Sequence, residues 1–246
     1  MSFLDPIFNP LLQLPVLWAV IIISLVLALI IIVVYRYTTN QEQMKQLKDE
    51  MKDYQKQMKE LRNNPEKMME VQKKAMQANM KYMSSSMKST LITFIPIILI
   101  FGWMNNALAY EPILPGQEFT TTAVFQKGAI GEIELVVPEG ITLSGDAVKK
   151  IEDDKAAWVL KGNEGEYLLE YKFNGESYTR DVLITNKQAY KNPVQSIKNS
   201  QLSMIKIENK PVKLLNLFGW RIGWLGTYII FSIIFSMLLR KLFKVY

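Results

Sequence analysis

Three stretches of the chain are apolar at nearly every position rather than on one face. Residues 16–35 read VLWAVIIISLVLALIIIVVY, with Ser24 as the one small polar side chain. Residues 91–109 read LITFIPIILIFGWMNNALA, with Thr93, Asn105 and Asn106. Residues 222–239 read IGWLGTYIIFSIIFSMLL, with Thr227, Ser232 and Ser236. A hydrocarbon core of about 30 Å takes roughly 20 helical residues. A charge at its centre costs about 2.5–3.5 kcal/mol, and none of the three runs contains one. Each is predicted to be a transmembrane helix, over 16–35, 90–110 and 222–239. The first is not read as a cleavable signal, because residues 1–15 hold Asp5 and no Lys or Arg.

Between the first two runs the pattern changes to a seven-residue repeat. Met44, Met51 and Met58 are seven apart, and Leu47, Tyr54 and Leu61 follow each by three. This is an a/d seam. Asn63-Asn64-Pro65 stops one helix and starts the next. The apolar repeat resumes with Met69, Met76 and Met83, joined by Met80 and Met87. The prediction for 36–89 is an antiparallel coiled-coil hairpin. In it Leu61 meets Met69, Tyr54 meets Met76, Leu47 meets Met83 and Met44 meets Met87. The methionines either fill this seam or form a yielding apolar surface for varied partners. Copper binding through thioethers is a weaker alternative.

Residues 111–186 switch to period two. Tyr167, Leu169, Tyr171 and Phe173 alternate with Leu168, Glu170, Lys172 and Asn174. Strand-like runs at 119–125, 130–138, 156–162, 164–173 and 177–185 are separated by Gly-rich turns, and predict a small antiparallel β-sandwich. Residues 187–221 read as a linker returning to the membrane, with a strand near 204–208. Asp146 and Glu152-Asp153-Asp154 are the densest acidic group, but lack calcium-loop spacing and read as solvated turns.

Composition narrows the chemistry and charge sets the orientation. Among 246 residues there is no Cys and no His, so disulfides, thiol nucleophiles, histidine bases and Cys/His zinc sites are excluded. The runs contain no Asp or Glu either, so neither a membrane enzyme nor an ion-coupled transporter is indicated. No metal and no cofactor is implied. Residues 36–89 carry 12 Lys/Arg against 7 Asp/Glu, whereas 111–213 carry 13 against 15. Positive charge stays in the cytoplasm. The expectation is therefore a multi-pass protein of the cell membrane, with 1–15 and 111–221 outside and 36–89 and the basic tail 240–246 inside. The fold class expected is mainly α: three transmembrane helices, a cytosolic antiparallel coiled-coil hairpin, and a small extracellular all-β domain.

DPIFNPLL (5–12), NNPEKMMEVQKKAM (63–76), TLITFIPIILIFGW (90–103) and GWLGTYIIF (223–231) together resemble the archaeal DUF106 membrane proteins. That family is placed in the Oxa1/YidC/Alb3 superfamily of membrane-protein insertases, with Get1 and EMC3 as relatives. The resemblance covers roughly residues 1–105 and 217–243 and leaves out the β-rich segment. It implies a chaperone that accepts transmembrane segments of nascent proteins and releases them into lipid. The expected partners are nascent membrane proteins, the bilayer, the ribosome or signal recognition particle at the hairpin, and a second membrane subunit. Bacterial members carry an arginine within their groove, whereas here the first run is uncharged and Arg36 stands at its end.

Polar side chains cluster toward the ends predicted to face the cytoplasm. Ser86, Thr90 and Thr93 follow one face of the second span, Ser232 and Ser236 are one turn apart on the third, and Tyr35 and Arg36 close the first. They predict a groove open to the cytosol, with Pro96 kinking the second span. The client-contacting set on the hairpin is Met44, Met51, Met58, Met69, Met76, Met80, Met83 and Met87. The competing reading is a membrane scaffold that presents a coiled coil inside and a β-domain outside.

Overall fold

The computed structural model describes residues 4–245. The helices are α1 (Asp5–Phe8), α2 (Val16–Thr38), α3 (Gln41–Glu60), α4 (Pro65–Leu108) and α5 (Trp224–Leu242). The chain divides into two compact units. One joins Leu17–Gly102 to Leu225–Tyr246, and the other joins Met1–Val16 to Trp103–Trp224.

The first unit is helical. The three apolar runs fall mostly in α2, α4 and α5, which are the three helices long and apolar enough to cross a membrane among the described residues. Asn40 separates α2 from α3 by capping the latter: its side-chain oxygen accepts from the Gln43 N–H at 3.1 Å. Asn64 does the same for α4 through the Lys67 N–H at 3.3 Å, with Pro65 in the first helical position. From there α4 runs unbroken for 44 residues, about 66 Å, through Pro96 and both of its predicted segments.

The sheltered face of α3 is the expected one. Met44 and Leu47 are buried, and Met51, Tyr54, Met58 and Leu61 are half-buried. On α4 the sheltered series is different: Met68, Val71, Ala75, Ala78, Tyr82, Ser85 and Ser89, spaced alternately by three and four. Met69, Met76, Met80, Met83 and Met87 lie outside it and are 60–68% exposed. The pairs expected between these methionines and α3 are not what the fold builds. Tyr82, expected nowhere in the seam, packs against the cluster that contains Met44. Two interleaved heptads compete in this sequence. The one chosen puts Val71, Ala78 and Ser89 inward, with Ala75 half-buried.

The second unit is a β-sandwich with helical attachments. Its strands are β1 (Glu118–Phe125), β2 (Glu132–Val136), β3 (Ile141–Ser144), β4 (Val148–Lys150), β5 (Lys155–Gly162), β6 (Gly165–Phe173), β7 (Glu176–Ile184), β8 (Val194–Ser196), β9 (Leu202–Ile207), β10 (Lys213–Leu217) and β11 (Trp220–Gly223). One sheet has the order β3-β5-β1-β9-β8, the other β4-β2-β6-β7. Leu169, Tyr171 and Phe173 of β6 face the common core, as their alternation predicts. There Tyr171 meets Trp158 at 5.9 Å between ring centroids. The sandwich extends beyond 186. The segment expected as linker supplies β8 and β9, and β9 pairs directly with β1. Its short runs are broken by Lys, Asn and Ser, so their alternation is hard to see in sequence.

The same segment finishes α4. Carbonyls at a helix C-terminus lack partners within the helix. Tyr190 donates to the Asn105 carbonyl at 2.8 Å, and Gln188 donates to the Ala107 carbonyl at 3.2 Å and to that of Tyr110 at 2.9 Å. Near this end Trp103 donates to Asp5 at 3.0 Å and lies 5.1 Å from the Phe8 ring. The residues before the first apolar helix are therefore held at the C-terminal end of α4. The Glu152-Asp153-Asp154 group is a turn in which Asp154 accepts from the Gly128 N–H at 2.9 Å. Among the described residues no group of three acidic side chains is placed to hold a metal.

Candidate functional site

Four polar side chains of α5 fall at four-residue intervals: Tyr228, Ser232, Ser236 and Arg240. At 3.6 residues per turn, this spacing sets them one above another along a slowly winding stripe. Apart from Trp224, Gly226, Thr227 and Lys241, the rest of α5 is Ile, Leu, Phe and Met, and Ile229, Ile233, Met237 and Leu238 are 47–69% exposed. Only 11% of its apolar window is buried, against 39% for α2. The third helix is thus loosely held by its own unit.

Between α2 and α5 lies a cavity of about 380 Å³, lined by Ala28 and Ile31 on one side and by Tyr228, Ser232, Ile233, Ser236, Met237 and Arg240 on the other. Two of the predicted groove residues, Ser232 and Ser236, therefore line an actual opening. Tyr35 closes its end indirectly. It is buried with Ile32, Met44 and Val245, and the Arg240 guanidinium carbon lies 5.2 Å from its ring centroid, a cation–π contact. Arg36 turns away and donates to the Phe243 carbonyl at 3.3 Å, tying the end of α2 to the tail of α5.

The predicted contribution of α4 is not part of this opening. Ser86 donates to the Met83 carbonyl at 3.0 Å, and Thr90 to that of Ser86 at 3.1 Å. Thr93 reaches the carbonyls of Ser89 and Thr90. These hydroxyls satisfy themselves on their own helix, which is what Ser and Thr do where no water is available. The buried polar face of α4 is Ser89 and Thr93, at 0% and 6% exposure, rather than Ser86 and Thr90. Among the described residues the Ser89 hydroxyl has no hydrogen-bond partner.

Sequence reasoning passed over Tyr228, Arg240 and Ser89. The first two were legible as the outer members of the four-residue series. Arg240 read only as a topology signal because it follows the apolar run. Among the described residues it is the one charged group at the cavity, and no carboxylate lines it. On α3, Met44, Met51 and Met58 are the sheltered methionines, while on α4 Met69, Met76, Met80, Met83 and Met87 form an exposed stripe.

The family model for integral membrane proteins described as EMC3/TMCO1-like matches residues 2–129, from α1 through β1. No curated protein and no solved structure matches the chain.

Proposed function

Because this chain belongs to the EMC3/TMCO1-like family of integral membrane proteins, within the Oxa1/YidC/Alb3 insertase-related superfamily, we propose that it accepts transmembrane segments of nascent proteins from the cytosol and releases them into lipid. The observation that carries this reading is the α2–α5 cavity with its hydroxyl-and-arginine stripe. Moving a polar flank through hydrocarbon is costly because its groups find no partners there. Ser236 offers such a partner along the path, the buried Ser232 hydroxyl adds another once α5 moves, and Arg240 at the inner end attracts acidic flanks.

Size says what must move. A helix about 10 Å wide with a 5.4 Å pitch occupies roughly 420 Å³ per turn. The resting cavity of about 380 Å³ therefore has room for about one turn. A full client requires α5 to swing away from α2, and the sparse burial of α5 makes that inexpensive. At 19 residues α5 spans about 28 Å, slightly under the hydrocarbon thickness, which favours local thinning beside it. Pro96 supplies a second place for α4 to yield.

The charge balance puts α3 and the first half of α4 in the cytosol as a coiled-coil hairpin, and the β-sandwich outside. The exposed stripe Met69, Met76, Met80, Met83 and Met87 is then a soft apolar surface at the cytosolic mouth. It receives clients, and the basic excess around it suits the RNA surface of a ribosome.

Site-specific photocrosslinkers at Ser236, Met76 and lipid-facing Phe94, in cells translating a single-span client, test this. Client adducts at Ser236 and Met76 but not at Phe94 are expected. Equal labelling at all three positions, or none, would favour the scaffold reading instead.

A further inference from the structure

The hairpin β10–β11 carries an apolar tip that nothing in the sandwich covers. Leu217 pairs with Trp220 across a two-residue turn made by Phe218 and Gly219. Phe218 is fully exposed, Trp220 is 80% exposed and Leu217 is 43% exposed. Elsewhere on this unit the exposed Ile130 and Leu168 have no exposed large apolar residue beside them in sequence. Here three adjoin on one tip.

The turn itself does not call for this residue. Phe218 has φ of +53° and Gly219 +89°, the doubly positive pair that Asn-Gly serves best. A bulky side chain in the left-handed region is disfavoured. The Asn216 side chain accepts from the Gly219 N–H at 3.0 Å and holds the turn in place. A phenylalanine that is costly to the backbone and unpacked by the fold has its partner elsewhere.

Both feet of the hairpin stand where apolar helices end. Val212, the residue before β10, donates its N–H to the Ala109 carbonyl at 3.0 Å, one residue past the end of α4. Glu111 donates to the Lys210 carbonyl at 2.8 Å, and Tyr110 bridges Pro211. At the other foot Gly223 is followed directly by Trp224, the first residue of α5. With no linker at either foot, at most about 20 Å of extended chain separates Phe218 from the start of α5. Lys213 and Arg221 flank the tip with positive charge.

We propose that the β10–β11 tip, Leu217, Phe218 and Trp220, is a membrane-interface anchor that inserts into the headgroup and upper acyl region of the leaflet at which α4 ends and α5 begins. Aromatic side chains favour that zone, and Lys213 and Arg221 meet its phosphates. The anchor fixes the entry point of α5, the helix that lines the cavity.

The chain has no cysteine, so a single spin label can be placed without further changes. Phe218→Cys is labelled with a nitroxide in nanodiscs of phosphatidylcholine with some phosphatidylglycerol. Collision with oxygen, which concentrates in lipid, is compared with that of an aqueous nickel chelate. Ile130→Cys serves as the water control and Phe94→Cys as the lipid control. The expected result is a several-fold oxygen preference at 218, as at 94, with the reverse at 130. A label at 218 that behaves like 130, or one shielded from both agents as a protein partner or second copy would shield it, overturns the proposal. An intact-chain measurement guards against a perturbed turn: quenching of tryptophan fluorescence by lipids brominated near the headgroup should be greater for the wild type than for Trp220→Phe. Equal quenching would also overturn it.

Discussion

Ala78 and Met80 lie two residues apart on α4, and their substitution separates the heptad the fold uses from the one the methionines suggest. Ala78 is 4% exposed and Met80 is 64% exposed. Ala78→Leu puts an isobutyl group where a methyl now packs, and overfilling a packed face costs about 1–3 kcal/mol. Met80→Gln loses only the buried third of a side chain worth about 2 kcal/mol when fully buried, so roughly 0.7 kcal/mol. Had Met80 been a seam residue, Met80→Gln would carry the larger penalty. Amide hydrogen exchange across residues 41–89 of the full chain in nanodiscs reads the local opening free energy. Ala78→Leu should speed exchange there by about tenfold or more, about 1.4 kcal/mol, and Met80→Gln by about threefold at most. The opposite order would refute the assigned seam, and with it the methionine stripe as an available surface.

Two further outcomes concern the sandwich. Burial raises the pKa of the Tyr171 hydroxyl above its ordinary value, although its bond with Thr121 acts the other way. The folded state accepts only the neutral form, so this stability is intact below about pH 10 and lost as pH climbs above it. Thermal unfolding should show a steep fall in the wild type above that pH and a shallower one in Tyr171→Phe; parallel curves would contradict the assignment. Gly162→Ala should destabilise the same domain by about 1–3 kcal/mol, because a Cβ there would overlap Ile141 Cδ1 and come within 2.7 Å of Ile184 Cδ1. An unchanged denaturant midpoint would show that those side chains yield freely.

What the sequence made legible is what uniform patterns encode. Ile, Leu and Val without interruption can only be shelved in lipid or a core, so the span at 16–35 lies within α2 and all but the first two residues of the span at 222–239 lie within α5. The alternation of Tyr167 through Phe173 marks β6, and Asn63-Asn64-Pro65 marks the start of α4. What stayed hidden was decided by competition between patterns. Met68 begins a heptad one residue before Met69, and in the fold Val71, Ala78 and Ser89 are its buried members. The hydroxyls of Ser86, Thr90 and Thr93 look like groove groups until their own backbone claims them. Residues 187–221 look like a tether because their strands are short, and pairing with β1 gives β9 its place. Arg240 seemed to belong to the tail, although its position four residues past Ser236 placed it on the cavity stripe.

The α2–α5 opening is tested most directly by filling it. Ser232→Leu and Ser236→Leu together occupy the cavity with branched apolar side chains and remove its hydroxyls, while α3, the first half of α4 and the sandwich keep their contacts. The measurement is insertion of a single-span client into proteoliposomes that contain the purified full chain, read by protection of the translocated flank from protease. The account predicts a fall in insertion rate of about tenfold or more, roughly 1.4 kcal/mol on the barrier, with unchanged exchange protection in the sandwich. Insertion at the wild-type rate with the cavity filled would contradict it.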